Sequence, residues 1–125
     1  MLANAAVTGF IPTHDFARAR AFYVDLLGLT AVSEDDFALE VVCGSTHIRI
    51  TKVEEFTPFP FTIFGWRVPD IVSTVRDLTA QGLIFERYHF LQQDEDDIWT
   101  SPNGTKVAWF RDPDGNTLSL SQHPV

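Results

Sequence analysis

Two stretches of this chain repeat one another, and that duplication narrows the possible folds more than any other feature of the sequence. Phe10–Pro12 precedes Asp15, and Gly28 follows thirteen positions later. Trp66–Val68 precedes Asp70, and Gly82 follows twelve positions later. Further on, Gly44-Ser45-Thr46-His47-Ile48-Arg49-Ile50 resembles Gly115-Asn116-Thr117-Leu118-Ser119-Leu120. A chain of 125 residues has room for one ordinary domain. The expectation is therefore a single domain, residues 1–125, made of two modules at about 5–53 and 60–122.

Each repeat reads as strand, helix and three strands. Phe16, Ala19, Phe22, Tyr23, Leu26 and Leu27 recur at three- and four-residue steps, which predicts a helix from Phe16 to Leu27. Asp15 suits its N-cap and Gly28 its stop. Ile71, Val75 and Leu78 mark a second helix between Asp70 and Gly82. Val7–Pro12, Thr30–Glu34, Ala38–Val42 and Thr46–Lys52 read as the strands of the first module. Phe61–Val68, Leu83–Arg87, Lys106–Arg111 and Thr117–Gln122 read as those of the second. Pro102-Asn103-Gly104 and Asp112-Pro113-Asp114-Gly115-Asn116 have the composition of tight turns. The second module carries about 17 extra residues near Tyr88–Gly104, an excursion holding Tyr88, Phe90, Trp99 and the acidic run Asp94-Glu95-Asp96-Asp97. Long loops in small domains serve as lids, as partner surfaces or as plain solvated connections.

Composition excludes several classes of function. The net charge is −8, with 9 Lys and Arg against 17 Asp and Glu. A chain of that sign with no basic run does not coat a phosphate backbone or an anionic membrane. Cys43 is the single cysteine, so no intrachain disulfide forms. It reads as a structural thiol, since no basic neighbour or helix start would activate it. No cationic segment precedes an apolar stretch, and no apolar run has membrane-spanning length. The expected compartment is the cytoplasm. With 11 Phe, 3 Trp and 2 Tyr, the chain has either a bulky core or an apolar cavity lined by rings. The four histidines, His14, His47, His89 and His123, lie apart with no metal-ligand spacing.

Two motifs add a resemblance. Ala21-Phe22-Tyr23-Val24-Asp25-Leu26-Leu27-Gly28-Leu29 resembles the "FYxxxLGL" signature of the vicinal oxygen chelate superfamily, which includes glyoxalase I, bleomycin-resistance proteins and extradiol dioxygenases. Trp109-Phe110-Arg111-Asp112-Pro113-Asp114-Gly115-Asn116 resembles its second signature, "FxDPDGN". The resemblance implies an α+β fold: two βαβββ modules forming a curved mixed sheet around a cavity, with helices on the convex side. Period-two alternation would then turn Ile48, Ile50, Leu118 and Leu120 toward the helices. The opposite set would face the cavity: Thr8 and Phe10; His47, Arg49 and Thr51; Ile63, Gly65 and Arg67; Thr117, Ser119 and Ser121. The candidate ligand-binding residues are Thr8, Phe10, His47, Arg49, Thr51, Ile63, Arg67, Trp99, Trp109, Ser119 and Ser121.

Metal-using relatives hold one divalent cation through His, Glu or Gln on the first, fourth, fifth and eighth strands. Those positions fall here on Thr8, Arg49, Ile63 and Ser119. An alkane cannot coordinate, and a guanidinium repels a cation. No metal and no other cofactor is therefore expected, and no catalytic residue is assigned. The leading reading is a metal-free binding protein of the glyoxalase/bleomycin-resistance type that sequesters a small organic molecule. The acidic run and Trp99 would suit a cationic ligand, whereas Arg49 and Arg67 would suit an anionic or carbonyl-bearing one. Alternatives are a metal-dependent lyase, isomerase or dioxygenase of the same superfamily, and a non-catalytic interaction module. A homodimer is expected, because twofold association covers sheet edges.

Overall fold

Each module is organised around a parallel pairing of its first strand with its last. The computed structural model describes all 125 residues. They divide into two compact units, Met1–Thr57 and Pro58–Val125. In the first unit, β1 (Thr8–Thr13) is followed by α1 (Phe16–Arg20), β2 (Thr30–Glu34), β3 (Ala38–Cys43) and β4 (Thr46–Lys52). The sheet order is β1-β4-β3-β2, with β1 and β4 parallel and the other pairs antiparallel. In the second unit, β5 (Thr62–Arg67) is followed by α2 (Ile71–Ala80), β6 (Trp99–Thr100), β7 (Lys106–Arg111) and β8 (Thr117–Gln122). Its order is β5-β8-β7-β6, with the same single parallel pair. These are the two βαβββ modules that the repeat predicts.

The helix starts follow from the two aspartates. Asp15 is extended at φ −150°, and its carboxylate accepts from the N–H groups of Ala17 and Arg18 at 2.8 and 3.3 Å. Asp70 does the same for Ser73 at 3.2 Å. Beyond Arg20 the first helix departs from expectation. Ala21–Leu26 is a π-helical segment, in which the N–H of Leu27 reaches back to the carbonyl of Phe22 at 2.9 Å. The wider turn accompanies the burial of two consecutive rings, Phe22 and Tyr23, packed edge to face at 5.0 Å. Gly28 then ends the segment at φ +81°.

The alternation of each strand separates a core face from an open face. Ile48, Ile50, Leu118 and Leu120 are all buried, along with Ile11, Leu39, Val41, Ala108 and Phe110. Ala19, Phe22 and Tyr23 join the first core, and Ile71, Val75 and Leu78 join the second. The intervening residues of β4 and β8 are His47, Arg49 and Thr51, then Thr117, Ser119 and Ser121.

One predicted strand is replaced by something else. Leu83–Arg87 makes only a single bridge, Phe85 to Phe110, with the N–H of Glu86 donating to the Trp109 carbonyl at 2.7 Å. The rest of that edge of β7 is taken by β6, which pairs Trp99 with Val107 and Thr100 with Lys106. The fourth strand of the second sheet is thus supplied in two pieces, with the long excursion between them. Gln93 fastens that excursion: its amide donates to the carbonyls of Glu86 and Asp97 at 2.9 and 2.8 Å and accepts from the Tyr88 N–H at 2.7 Å. Satisfying these backbone groups is what lets an irregular segment lie against a sheet.

The acidic run belongs to the same fastening. Asp94 accepts from the N–H groups of Asp96 and Ile98 at 2.9 and 3.0 Å, and Ile98 is buried. Asp96 holds Arg76 through two nitrogens at 3.1 and 3.2 Å, and Asp97 pairs with Arg87 at 3.0 Å. Three of the four carboxylates are therefore committed to folding the loop, which weakens their suggested part as a groove for a cationic ligand.

The turn between β7 and β8 is organised by Asp112. Its buried carboxylate accepts from the N–H groups of Asp114 and Asn116 and from the Asn116 side-chain amide, each at 2.9 Å. Replacing Asp112 with Ala strands those donors, with an expected loss of about 2–4 kcal/mol in urea denaturation. Asp112→Asn keeps one carbonyl oxygen for the two backbone donors and should lose less. Equal stability of Asp112→Ala and wild type would refute this role.

A second contact is just as exacting. A Cβ built on Gly65 would collide with Ser119 Oγ and lie 2.9 Å from the Ser119 carbonyl oxygen, so no other residue fits without displacing the neighbouring strand. Gly65→Ala should cost about 1–3 kcal/mol. Adding Ser119→Gly should recover only part of that, because the carbonyl collision persists. Full recovery in the double variant would show that the side chain alone sets the limit.

Candidate functional site

The open face of the first sheet gathers five of the predicted residues. Thr8 lies opposite His47 and Phe10 opposite Arg49, while Thr51 sits between Pro12 and Ala38. Phe10 is 63% exposed, which is a large apolar surface for an ordinary strand position. His47 and Arg49 are less free than alternation alone suggests. Glu40, beside them on β3, accepts from His47 Nδ1 at 2.9 Å and lies 3.5 Å from Arg49 Nη1. Both side chains are thereby anchored on one half-buried carboxylate. Glu40 carries no motif that marks it in the sequence; its signal is the alternation of Ala38–Val42, which buries Leu39 and Val41 and turns Glu40 to this face.

The second sheet concentrates the aromatic side chains. Trp99 pairs with Val107, and Trp109 lies opposite Ser119, which lies opposite Gly65. The Trp99 and Trp109 rings are 6.1 Å apart. Tyr88 meets Trp109 edge to face at 5.6 Å and Phe90 at 5.5 Å. Phe61 stacks on Phe59 at 5.0 Å. Pro60, Phe61, Thr62, Tyr88, Phe90, Leu91, Trp109 and Thr117 line an open groove of about 230 Å³. Sequence reasoning singled out Trp109 but not its groove partners as site residues. Their signal was the density of rings in the excursion, and what brings them to Trp109 is the Gln93 fastening.

Polar groups are interleaved with the rings. Trp109 Nε1 donates to Thr62 Oγ1 at 3.1 Å. That fixes the indole and leaves the Thr62 hydroxyl proton able to donate elsewhere. Burial, reinforced by the nearby Glu86 carboxylate, raises the Tyr88 phenol above its ordinary value. It remains a neutral donor at physiological pH. Arg111 is held by Glu86 at 3.1 Å. Ser121 contacts His123 at 3.3 Å. The Arg67 side chain is exposed beside Ser121 and has no hydrogen-bond or ion-pair partner.

Ile63 does not keep simple alternation. The register of β5 against β8 shifts between Thr62 and Phe64, so that Thr62 pairs with Thr117 and Phe64 with Leu118. Ile63 is the inserted, half-buried residue of a β-bulge, and Thr62 takes the position opposite Thr117.

The divalent cation of metal-using relatives can be tested against these side chains. Thr8 offers a lone hydroxyl, Arg49 a guanidinium on Glu40, Ile63 an alkane, and Ser119 a hydroxyl packed over Gly65. No group of three or more His, Cys, Asp or Glu is placed to hold an ion. The donor set does not fit a divalent metal.

Comparisons with known proteins agree with the architecture. A family model described as the Glyoxalase/Bleomycin resistance protein/Dioxygenase superfamily matches residues 4–120. A member of that superfamily from Sphaerobacter thermophilus superposes with a TM-score of 0.77 at 22% identity, covering 98% of this chain and 100% of that one. TnmS3, an antibiotic binding protein from a Streptomyces species, gives 0.74 at 22% identity, with 99% of each chain covered. A lactoylglutathione lyase from Agrobacterium tumefaciens gives 0.69 at 19% identity, with 95% and 93% covered. No curated protein matches the chain in a sequence search. No helix is long and apolar enough to cross a membrane. With the repeat, the two signature turns and a family match over nearly its whole length, the chain belongs to the glyoxalase/bleomycin resistance protein/dioxygenase superfamily.

Proposed function

We propose that this protein binds a planar organic molecule on the aromatic face of its second module and sequesters it without metal chemistry. The observation that carries this reading is the convergence of Phe61, Tyr88, Phe90 and Trp109 around an open groove. Rings left accessible in this number stand ready to stack on a flat ligand. A few polar groups among them, Thr62, Thr117 and the Tyr88 phenol, would orient it. Ser119, Ser121, Arg67 and Trp99 extend the site along the same sheet face. On the first module, Thr8, Phe10, His47, Arg49 and Thr51 form a further candidate surface. The antibiotic-binding relative, matched over 99% of each chain, supports a binding function on this fold.

The lyase among the structural relatives keeps an enzymatic reading in view. It would require a metal site from side chains that do not supply one, so it ranks second.

Titration with 2-naphthamide, a flat neutral probe, tests the proposal by isothermal calorimetry and by tryptophan fluorescence. Saturable binding is expected. Trp109→Leu and Tyr88→Leu should each weaken it by about five- to tenfold, the loss of one ring contact. Absence of saturable binding, or affinity untouched by both substitutions, would overturn the site. One equivalent of nickel, zinc, manganese or iron retained through dialysis would favour the enzyme reading instead.

A further inference from the structure

We infer that the ligand of the second module carries an anionic group, such as a carboxylate, that pairs with Arg67 while its ring system rests on Trp109. The inference builds on the aromatic site just proposed and adds the charge of its occupant.

The argument starts from how charge is distributed. Acidic residues outnumber basic ones by 17 to 9 in this chain, and five of its seven arginines are paired with carboxylates. Arg20 pairs with Glu34, Arg49 with Glu40, Arg76 with Asp96, Arg87 with Asp97, and Arg111 with Glu86. Arg67 has no such partner. The reason lies in the register. Across the open face of the second sheet, one row runs Trp99, Val107, Ser121, Arg67 and the next runs Trp109, Ser119, Gly65. A third runs Arg111, Thr117, Thr62. None of these positions is Asp or Glu. The strands that present the aromatic rings thus carry no carboxylate on this face, and Glu86, from the segment beside β7, is paired with Arg111.

The shape of that face suits a ligand spanning Arg67 and the indoles. Gly65 has no side chain, and the side chains of Ser119 and Ser121 are short, so the middle of the face is low. Trp99 stands on one flank, the Trp109 indole reaches across β8 to Thr62 on β5, and Arg67 stands farther along β5. From strand spacing and rise, the Cα atoms of Arg67 and Trp109 lie roughly 12 Å apart. Both side chains are long, and two fused rings bearing a carboxylate bridge the remaining gap. Ser119 and Ser121 offer hydroxyl donors along the way. A guanidinium and a carboxylate form a charge-assisted, bidentate pair. A cationic ligand would meet Arg67 with nothing on these strands to offset the repulsion.

Three probes of one size separate the possibilities: 2-naphthoate, 2-naphthamide and 2-naphthylmethylammonium, each titrated calorimetrically at low and at 0.5 M salt. The expected result is naphthoate binding about tenfold tighter than the amide, with the cation weakest. High salt should reduce the preference for the acid. Arg67→Gln, at an exposed position with no structural contact to lose, should bring the acid-to-amide ratio close to one. Arg67→Lys should restore part of it. Equal affinity of acid and amide in the wild type, or a preference that survives Arg67→Gln, would overturn the inference and leave the aromatic site standing. Failure of all three probes to bind would remove both.

Discussion

The parallel pairing of first strand to last strand is the constraint on which each module depends. A parallel neighbour cannot be reached by a tight turn, so a crossover must intervene, and the capped helix supplies its regular part. That pairing puts β4 and β8 inside their sheets, hydrogen-bonded on both sides. Inner strands have the least freedom of register. Because side chains alternate, fixing their register fixes which residues are buried and which remain accessible. Ile48 and Ile50, Leu118 and Leu120 are committed to the cores, and the positions between them form the surfaces on which any ligand chemistry must be built.

The two modules use one plan for different chemistry. In the first, Glu40 reaches both His47 and Arg49, so the open face neutralises its own charges. In the second, the edge strand corresponding to β2 is broken into Phe85 and β6, and the chain between them returns with Tyr88 and Phe90. Splitting a strand sacrifices ladder hydrogen bonds. Gln93, Asp94 and the Glu86 N–H replace them with local ones, so the segment stays ordered while presenting rings beside Trp109. The duplicated fold is conserved within the chain at the level of caps, turns and cores. Its divergence lies in the segment that topology leaves free to vary.

The Gly65–Ser119 contact links stability to the shape of the site. A close approach of β5 and β8 needs a residue without Cβ at position 65. The same absence keeps the centre of the sheet face low between Arg67 and the tryptophans. The bulge at Ile63 acts nearby, giving Thr62 the position from which it accepts the Trp109 indole N–H. These two irregularities of β5, one steric and one of register, shape the surface more than the regular strand geometry does.

Most of the fold was legible in the sequence because its determinants are local. Asp15 and Asp70 cap helices through their own side chains, Gly28 adopts positive φ, and Asp112 closes its turn within five residues. Alternation also sorted core from surface on β4 and β8, since it depends only on strand period. What the chain order concealed was every contact between residues distant along it: Glu40 holding His47 and Arg49, and Trp109 reaching Thr62. The π-helical turn accompanies the packing of two adjacent rings, and the split fourth strand shares one edge of β7 between two segments. Partnership and register are set when elements meet, and a one-residue bulge changes both without leaving a mark in composition. Residue types and periodicity therefore determined the architecture, while tertiary packing alone decided which arginine stays unpaired and which aromatic rings stand beside one another.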